Sequence, residues 1–226
     1  MGDIALAIDT SGSFCSIALK GADGAVTTCA SSGEGDHFER LPGLVDEIFA
    51  SAGLSMSALS AIRIGIGPGS FTGLRIGLSF AKGMAAALRI PLYGVCSFEA
   101  AGREVLAHQP GVSAVAVVSD ARRDEVFVGA YARGATGEVV TVEAPRIVPI
   151  SELSTSPWIT QQVWLSPLRD FAPAGLHVES CPTLGRGLLL APVAIGSYSL
   201  SEIATLEPSY LRAVAAKTIE ERKQKA

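Results

Sequence analysis

Asp9-Thr-Ser-Gly-Ser13 ends an apolar run and gathers one carboxylate and three hydroxyls into five residues. A carboxylate at the end of a buried strand needs hydrogen-bond donors or a cation. The plain alternative is that Asp9 or Thr10 caps the turn into the next strand. The second chemical candidate is Gly67-Pro-Gly-Ser-Phe-Thr-Gly-Leu-Arg-Ile-Gly77. Gly67 and Gly69 suit a tight strand-to-helix turn, where the amides of a helix start can cradle phosphate. The spacing fits neither familiar phosphate loop. Nothing nearby reads Gly-x-x-x-x-Gly-Lys-Ser/Thr, and Thr72 stands where the dinucleotide fingerprint wants its third glycine. Backbone geometry and packing account for these glycines better than phosphate does.

The other reactive residues are scattered. His37, His108 and His177 are isolated, no His-Glu-x-x-His occurs, and no Gly-x-Ser-x-Gly elbow is present. Cys15, Cys29, Cys96 and Cys181 lie far apart with no Cys-x-x-Cys spacing. They read as buried free thiols of a reducing compartment. The formal net charge is −4, and no basic cluster is denser than Arg122-Arg123 or the tail Glu220-Glu-Arg-Lys-Gln-Lys225. Tight nucleic-acid binding by this chain alone wants a basic stripe that the sequence lacks. Asp120-Ala-Arg-Arg-Asp124 is the densest polar knot in mid-chain. It is either a solvated hairpin with weak surface ion pairs, or a structural knot in which Asp120 and Arg122 matter. In the second case Arg122 fixes the join between the two halves through a hydrogen-bonded carboxylate.

The elements that must position these residues are legible from periodicity. Ile4 to Ile8, Phe14 to Lys20 and Ala25 to Ala30 read as an antiparallel meander of three strands. Phe38, Leu41, Val45, Ile48 and Ala52 trace a helical stripe that stops at Gly53, with Pro42 predicting a late start or a kink. A strand at Ala61 to Ile66 leads through the glycine turn into a helix from Thr72 to Arg89. That helix carries two apolar stripes: Leu74, Leu78, Ala81, Ala85 and Leu88, and beside it Gly73, Gly77, Phe80, Met84 and Ala87. Helical glycine costs about 1 kcal/mol relative to alanine, so Gly73 and Gly77 need a reason. A central helix wrapped by its own domain is one; a close partner helix is the other, and the one this reading favours. A strand at Leu92 to Val95, a helix from Ser97 to His108, and two apolar strands around Asp120–Asp124 follow. After Pro145 prolines punctuate short elements. No uncharged apolar run approaches the 18 to 20 or so residues that span a bilayer. The longest, Gly187 to Leu200, contains Pro192, and Met1-Gly-Asp shows no secretion signal.

Four segments together resemble the TsaB family, the dimerization subunits of the bacterial tRNA threonylcarbamoyladenosine machinery. They are Leu6-Ala-Ile-Asp-Thr-Ser-Gly-Ser-Phe-Cys-Ser-Ile-Ala-Leu19, the run Gly67 to Gly77, Ser119-Asp-Ala-Arg-Arg-Asp-Glu-Val-Phe127 and Pro208-Ser-Tyr-Leu-Arg212. They fall in the family's order and span almost the whole chain; residues from about 145 to 200 carry no matching motif. The order of three strands, helix, strand, helix, strand is that of the ribonuclease-H-like half of actin, sugar kinases and heat-shock ATPases. The resemblance implies that superfamily: an α/β protein with a mixed sheet flanked by helices and a reduced second half. The expected division is 1–109 and 110–226, with the C-terminal segment free to return to the first half.

The resemblance also implies a role. In that superfamily the first strand end holds a metal-directing Asp and a phosphate-contacting loop, which makes Asp9, Ser11 and Ser13 a vestigial nucleotide-phosphate site. A second phosphate loop is missing, with no Asp-x-Gly-Gly or Gly-Gly pair after residue 110. The family's catalytic paralogue, the TsaD type, carries a His-x-x-x-His metal pair; here the comparable place reads His37-Phe-Glu-Arg-Leu41, with leucine at the second ligand. No catalytic residue, metal or cofactor is therefore expected, though residual nucleotide binding near Asp9 stays open. The implied protein is a cytoplasmic, non-catalytic scaffold of the complex that makes N6-threonylcarbamoyladenosine in tRNAs reading codons that begin with A. Its expected partners are the TsaD-type paralogue and a TsaE-type ATPase. It forms a homodimer when alone, touches tRNA only indirectly and binds no membrane. The docking residues are Gly73, Gly77, Phe80, Met84, Phe38 and Leu41. The competing readings are a small ATP-dependent kinase of the same superfamily and a metalloprotease.

Overall fold

The computed structural model describes residues 3–31, 37–155, 163–166, 178–181, 184–192 and 200–211. Strands β1 (Ala5–Asp9), β2 (Ser16–Lys20) and β3 (Val26–Ala30) form the antiparallel meander. Strand β4 (Ala61–Gly65) joins β1 in parallel, and β5 (Leu92–Val95) joins β4 in parallel, so the first sheet runs β3-β2-β1-β4-β5. Every residue of β1 is buried, because helices cover both faces; that is why the strand reads as a continuous apolar run rather than an alternation.

Helices α1 (His37–Ala52) and α2 (Phe71–Leu88) cover one face. Leu41, Leu44, Val45 and Ile48 of α1 and Leu78, Ala81 and Ala85 of α2 pack there against Leu6, Ile8, Ile17, Ile62 and Ile64. The late start expected at Pro42 does not occur: α1 begins at His37 and carries Pro42 inside it, on the exposed side. The other face holds α3 (Ser97–His108) and α4 (Leu184–Leu190), where Ala100 and Leu188 meet Ala7 and Ala18.

Helix α3 also faces the second sheet. Its Phe98, Ala101, Val105 and Leu106 pack on Val115, Val117 and Tyr131 of β6 (Ala114–Arg122) and β7 (Glu125–Arg133). With β8 (Val139–Pro149), β9 (Val163–Ser166) and β10 (Val178–Ser180), that sheet runs β10-β9-β6-β7-β8. The helical layer α3/α4 therefore lies between the two sheets. Arg63 of β4 ties this layer down, donating to the carbonyls of Leu188 at 2.9 Å, Leu189 at 2.9 Å and Ala191 at 2.7 Å. It satisfies carbonyls that a helix end leaves without intrahelical partners. The chain then returns to the first sheet: α5 (Leu200–Thr205) packs on α2, Leu206 enters the first core, and Ser209 N–H donates to the Ile66 carbonyl at 2.8 Å. No helix of the described residues is long and apolar enough to cross a membrane.

Candidate functional site

Asp9 ends β1 where β4, the glycine turn and the start of α3 converge, and its side chain is fully buried. Oδ1 accepts from the Ser11 hydroxyl at 2.6 Å and from the Ser11 amide at 2.9 Å. Oδ2 accepts from the Ser97 hydroxyl at 2.7 Å, and that hydroxyl in turn accepts from the Gly67 amide at 3.2 Å. Gly65 leaves room for this carboxylate; a Cβ there would collide with Oδ2. Burial pushes the Asp9 carboxyl above the usual aspartate range, and the bonds from Ser11 and Ser97 offset part of the rise. Burial, then the negative charges of Asp9 and Cys29, push the nearby Cys15 thiol up to about 12.

Both oxygens of Asp9 are thus spent on the chain's own donors. Ser11 is as buried as Asp9, and Ser13 is half-buried. The group acts as a polar knot that fastens the end of β1 to the glycine turn and to α3. Gly67, at φ +100°, makes the turn that a side chain would strain. Two amides at the start of α2 are occupied too: Ser70 caps Gly73 N–H at 3.1 Å, and Ser70 N–H donates to the Ser11 carbonyl at 2.7 Å.

The same knot explains Gly73 and Gly77. Thr10 donates to the Gly73 carbonyl at 2.8 Å. A Cβ at Gly73 would collide with the Thr10 carbonyl oxygen, and one at Gly77 with the Thr10 hydroxyl. The close approach expected from a partner helix is made by Thr10, the residue that follows β1, and both glycines are buried within the chain. Leu41, also expected at a partner face, is 1% exposed and belongs to the core. Phe80 and Met84 are half-buried against that core, and the side chain of Phe38 lies outside the described residues.

The outward side of α2 is a different arc. Thr72, Ser79, Gly83, Ala86 and Ala87 are exposed, with Ile76, Phe80 and Met84 half-buried along its margin. None of these residues is charged; Arg75 and Lys82 stand to one side. Among the described residues, a Cβ at Gly83, or at Gly43 on α1, would meet nothing within 4 Å. This charge-free arc of eight residues is legible in the sequence, but the i, i+4 glycine spacing marks a different, buried line of the helix.

Asp120 and Arg122 do not join the two halves. The Arg122 side chain is 87% exposed, its guanidinium lies 3.1 Å from Asp120 Oδ2, and its amide donates to Asp120 Oδ1 at 2.6 Å. All of this stays inside the β6–β7 hairpin, whose tip holds Arg122, Arg123 and Asp124 at φ of 67°, 60° and 58°. Among the described residues no group of three or more His, Cys, Asp or Glu is placed to hold a metal ion. The sequence singles out neither Ser97 nor Gly65, and Thr10, legible there as a turn cap, instead bonds to α2. Ser97, at a helix start after an apolar strand, was the one with a readable signal.

A family model described as "TsaD: tRNA N6-adenosine threonylcarbamoyltransferase" matches residues 31–164. The tRNA threonylcarbamoyladenosine biosynthesis protein TsaB of Escherichia coli (strain K12) is 34% identical over 224 residues, covering 92% of this chain and 94% of that one. Among solved structures, YeaZ from Pseudomonas aeruginosa aligns with a TM-score of 0.74 at 28% identity, covering 92% of this chain and 100% of its own. Another Pseudomonas aeruginosa structure, of an uncharacterized protein with similarity to peptidase YEAZ, aligns equally well: TM-score 0.74, 28% identity, 93% of this chain and 100% of its own. The fold is the ribonuclease-H-like α/β fold of the actin-like ATPase superfamily.

Proposed function

The chain belongs to the TsaB family of tRNA threonylcarbamoyladenosine biosynthesis proteins, and from that membership we propose that it is a scaffold which holds a TsaD-type catalytic paralogue through the outer side of α2. The observation that carries the reading is the charge-free, solvent-facing arc of Thr72, Ser79, Gly83, Ala86 and Ala87, with Gly83 and Gly43 facing open space. Helical glycines with no reason inside the chain make sense if another backbone comes close to them. The family model described by the TsaD name matches residues 31–164, which contain both α1 and α2, so a TsaD-type paralogue has helices suited to like-with-like packing.

In this reading residues 1–109 carry the docking half and residues 110–226 the reduced half. The chain is cytoplasmic, pairs with itself when the paralogue is absent, and cannot make both pairs at once because one surface serves both. A TsaE-type ATPase binds the heterodimer, and tRNA meets this chain only through its partners. The chain itself performs no catalysis: the Asp9 carboxylate is occupied by Ser11 and Ser97.

Gly83→Arg tests the face without touching the core. Sedimentation should find it folded and monomeric, and a purified TsaD-type paralogue of the same organism should no longer co-elute with it. A variant that still forms both assemblies places the interface elsewhere. The isolated wild-type chain should hydrolyse ATP at background; turnover that vanishes in a folded Asp9→Asn variant would favour the kinase reading instead.

A further inference from the structure

Beside the bare arc, α2 and the returning segment border an open cavity of about 350 Å³ lined by Arg75, Ser79, Lys82, Glu207 and Tyr210 together with three apolar residues. The Arg75 guanidinium lies 4.1 Å above the Phe71 ring, and its Nε donates to the Tyr210 hydroxyl at 3.0 Å. The Phe71 and Tyr210 rings stand 5.4 Å apart, and Phe71 is 45% exposed. Lys82 Nζ donates to the Ala204 carbonyl at 2.9 Å. Both cations are thus fixed by neutral groups, and among the described residues neither meets a carboxylate.

A guanidinium held by stacking and by its Nε still presents its Nη donors as a fork, which is the geometry that a carboxylate accepts. The cavity holds two positive groups, Arg75 and Lys82, and one negative group, Glu207. One carboxylate neutralises the surplus; a phosphate dianion overshoots it. Ser79 lines the cavity and also belongs to the bare arc of α2, so whatever lies on that arc reaches the cavity's edge. Arginine, tyrosine and large aromatic side chains are also the types that anchor protein interfaces.

We propose that Arg75 and Lys82 receive a carboxylate side chain of the protein docked on α2, an acidic residue placed beside that partner's apolar contact. The proposal rests on the docking reading above.

The test is the affinity of the purified chain for its purified TsaD-type paralogue, compared among wild type, Arg75→Gln, Lys82→Gln and Gly83→Arg. Arg75→Gln should weaken the complex by about tenfold, Lys82→Gln by less, and added salt should narrow both differences. Melting temperatures should fall by no more than about 4 °C, since Arg75 is exposed, Lys82 is half-buried, and each variant gives up a hydrogen bond to a neutral group. Neutralising the matching acidic residue of the paralogue should abolish the effect of Arg75→Gln. If both glutamine variants bind as wild type while Gly83→Arg does not bind, the carboxylate clamp is refuted and the docking face stands. If Gly83→Arg also binds as wild type, both readings fall. Binding of free glutamate at Arg75, seen by NMR, with no change in the partner affinity of Arg75→Gln, makes the cavity a small-molecule site and overturns the proposal.

Discussion

Glycine appears on both sides of α2, and the two sides have opposite reasons for it. Gly73 and Gly77 face inward, where Thr10 occupies the space that their side chains would need. Gly83 faces outward, like Gly43 on α1, into open space. Each forgoes about 1 kcal/mol of helix propensity relative to alanine. Inside, that cost is offset by bringing α2 onto the end of β1 and by the Thr10 to Gly73 hydrogen bond. Outside, nothing among the described residues offsets it. Two glycines four apart in a helix therefore mark a close approach without saying what approaches, and only burial separates a strand of the same chain from a partner.

The comparison breaks most visibly at Gly77. Gly77→Leu drives a branched side chain into Thr10 and should cost more than about 3 kcal/mol, enough to lose the cooperative thermal transition. A stable monomer with a normal circular dichroism spectrum would show that the inner contact is loose. Next in size is Asp9→Ala, which strips three buried donors of their acceptor. A loss of about 3 kcal/mol is expected in urea unfolding.

Asp9→Asn sharpens the same point through pH. The native pKa of Asp9 lies above its ordinary value of 3.8 because burial outweighs its hydrogen bonds. The stability linked to its proton is then fully present below that ordinary value and is lost as pH rises through the native pKa. Asparagine does not titrate. The melting temperature of the wild type, taken relative to Asp9→Asn, should fall as pH is raised from the ordinary aspartate value, and a flat difference would deny the effect of burial.

On the outer side, Gly83→Ala should stabilise the monomer by up to about 1 kcal/mol while weakening assembly. The inner Gly73→Ala should destabilise it. Finding the same sign at both positions would erase the distinction between the sides. The smallest effect belongs to the hairpin: Arg122→Ala removes an exposed ion pair, and a change within about 0.5 kcal/mol is expected.

The meander, the strand at 61–65, both long helices and the α3 span were readable because their apolar periods match single elements. The knot was half readable. Asp9 announced itself as a carboxylate in an apolar run, whereas its partner Ser97 lies 88 positions away, and a serine at a helix start fits a plain cap equally well. The dense polar run 120–124 between two apolar strands suggests a long-range tie through Arg122. The hairpin turns it outward to Asp120, two residues back.

By itself the sequence determined the elements of the first half and the family, since these depend on local order, spacing and residue type. How the two stripes of α2 divide was decided only when β1 and α2 packed. Leu74, Leu78, Ala81 and Ala85 are buried together with Gly73 and Gly77, because Thr10 fits against those two glycines where no side chain stands in its way, while Phe80 and Met84 stay half-buried and Ala87 is exposed. Pairing Arg75 with Tyr210 likewise required the chain to return across 135 residues, a contact that no local pattern encodes.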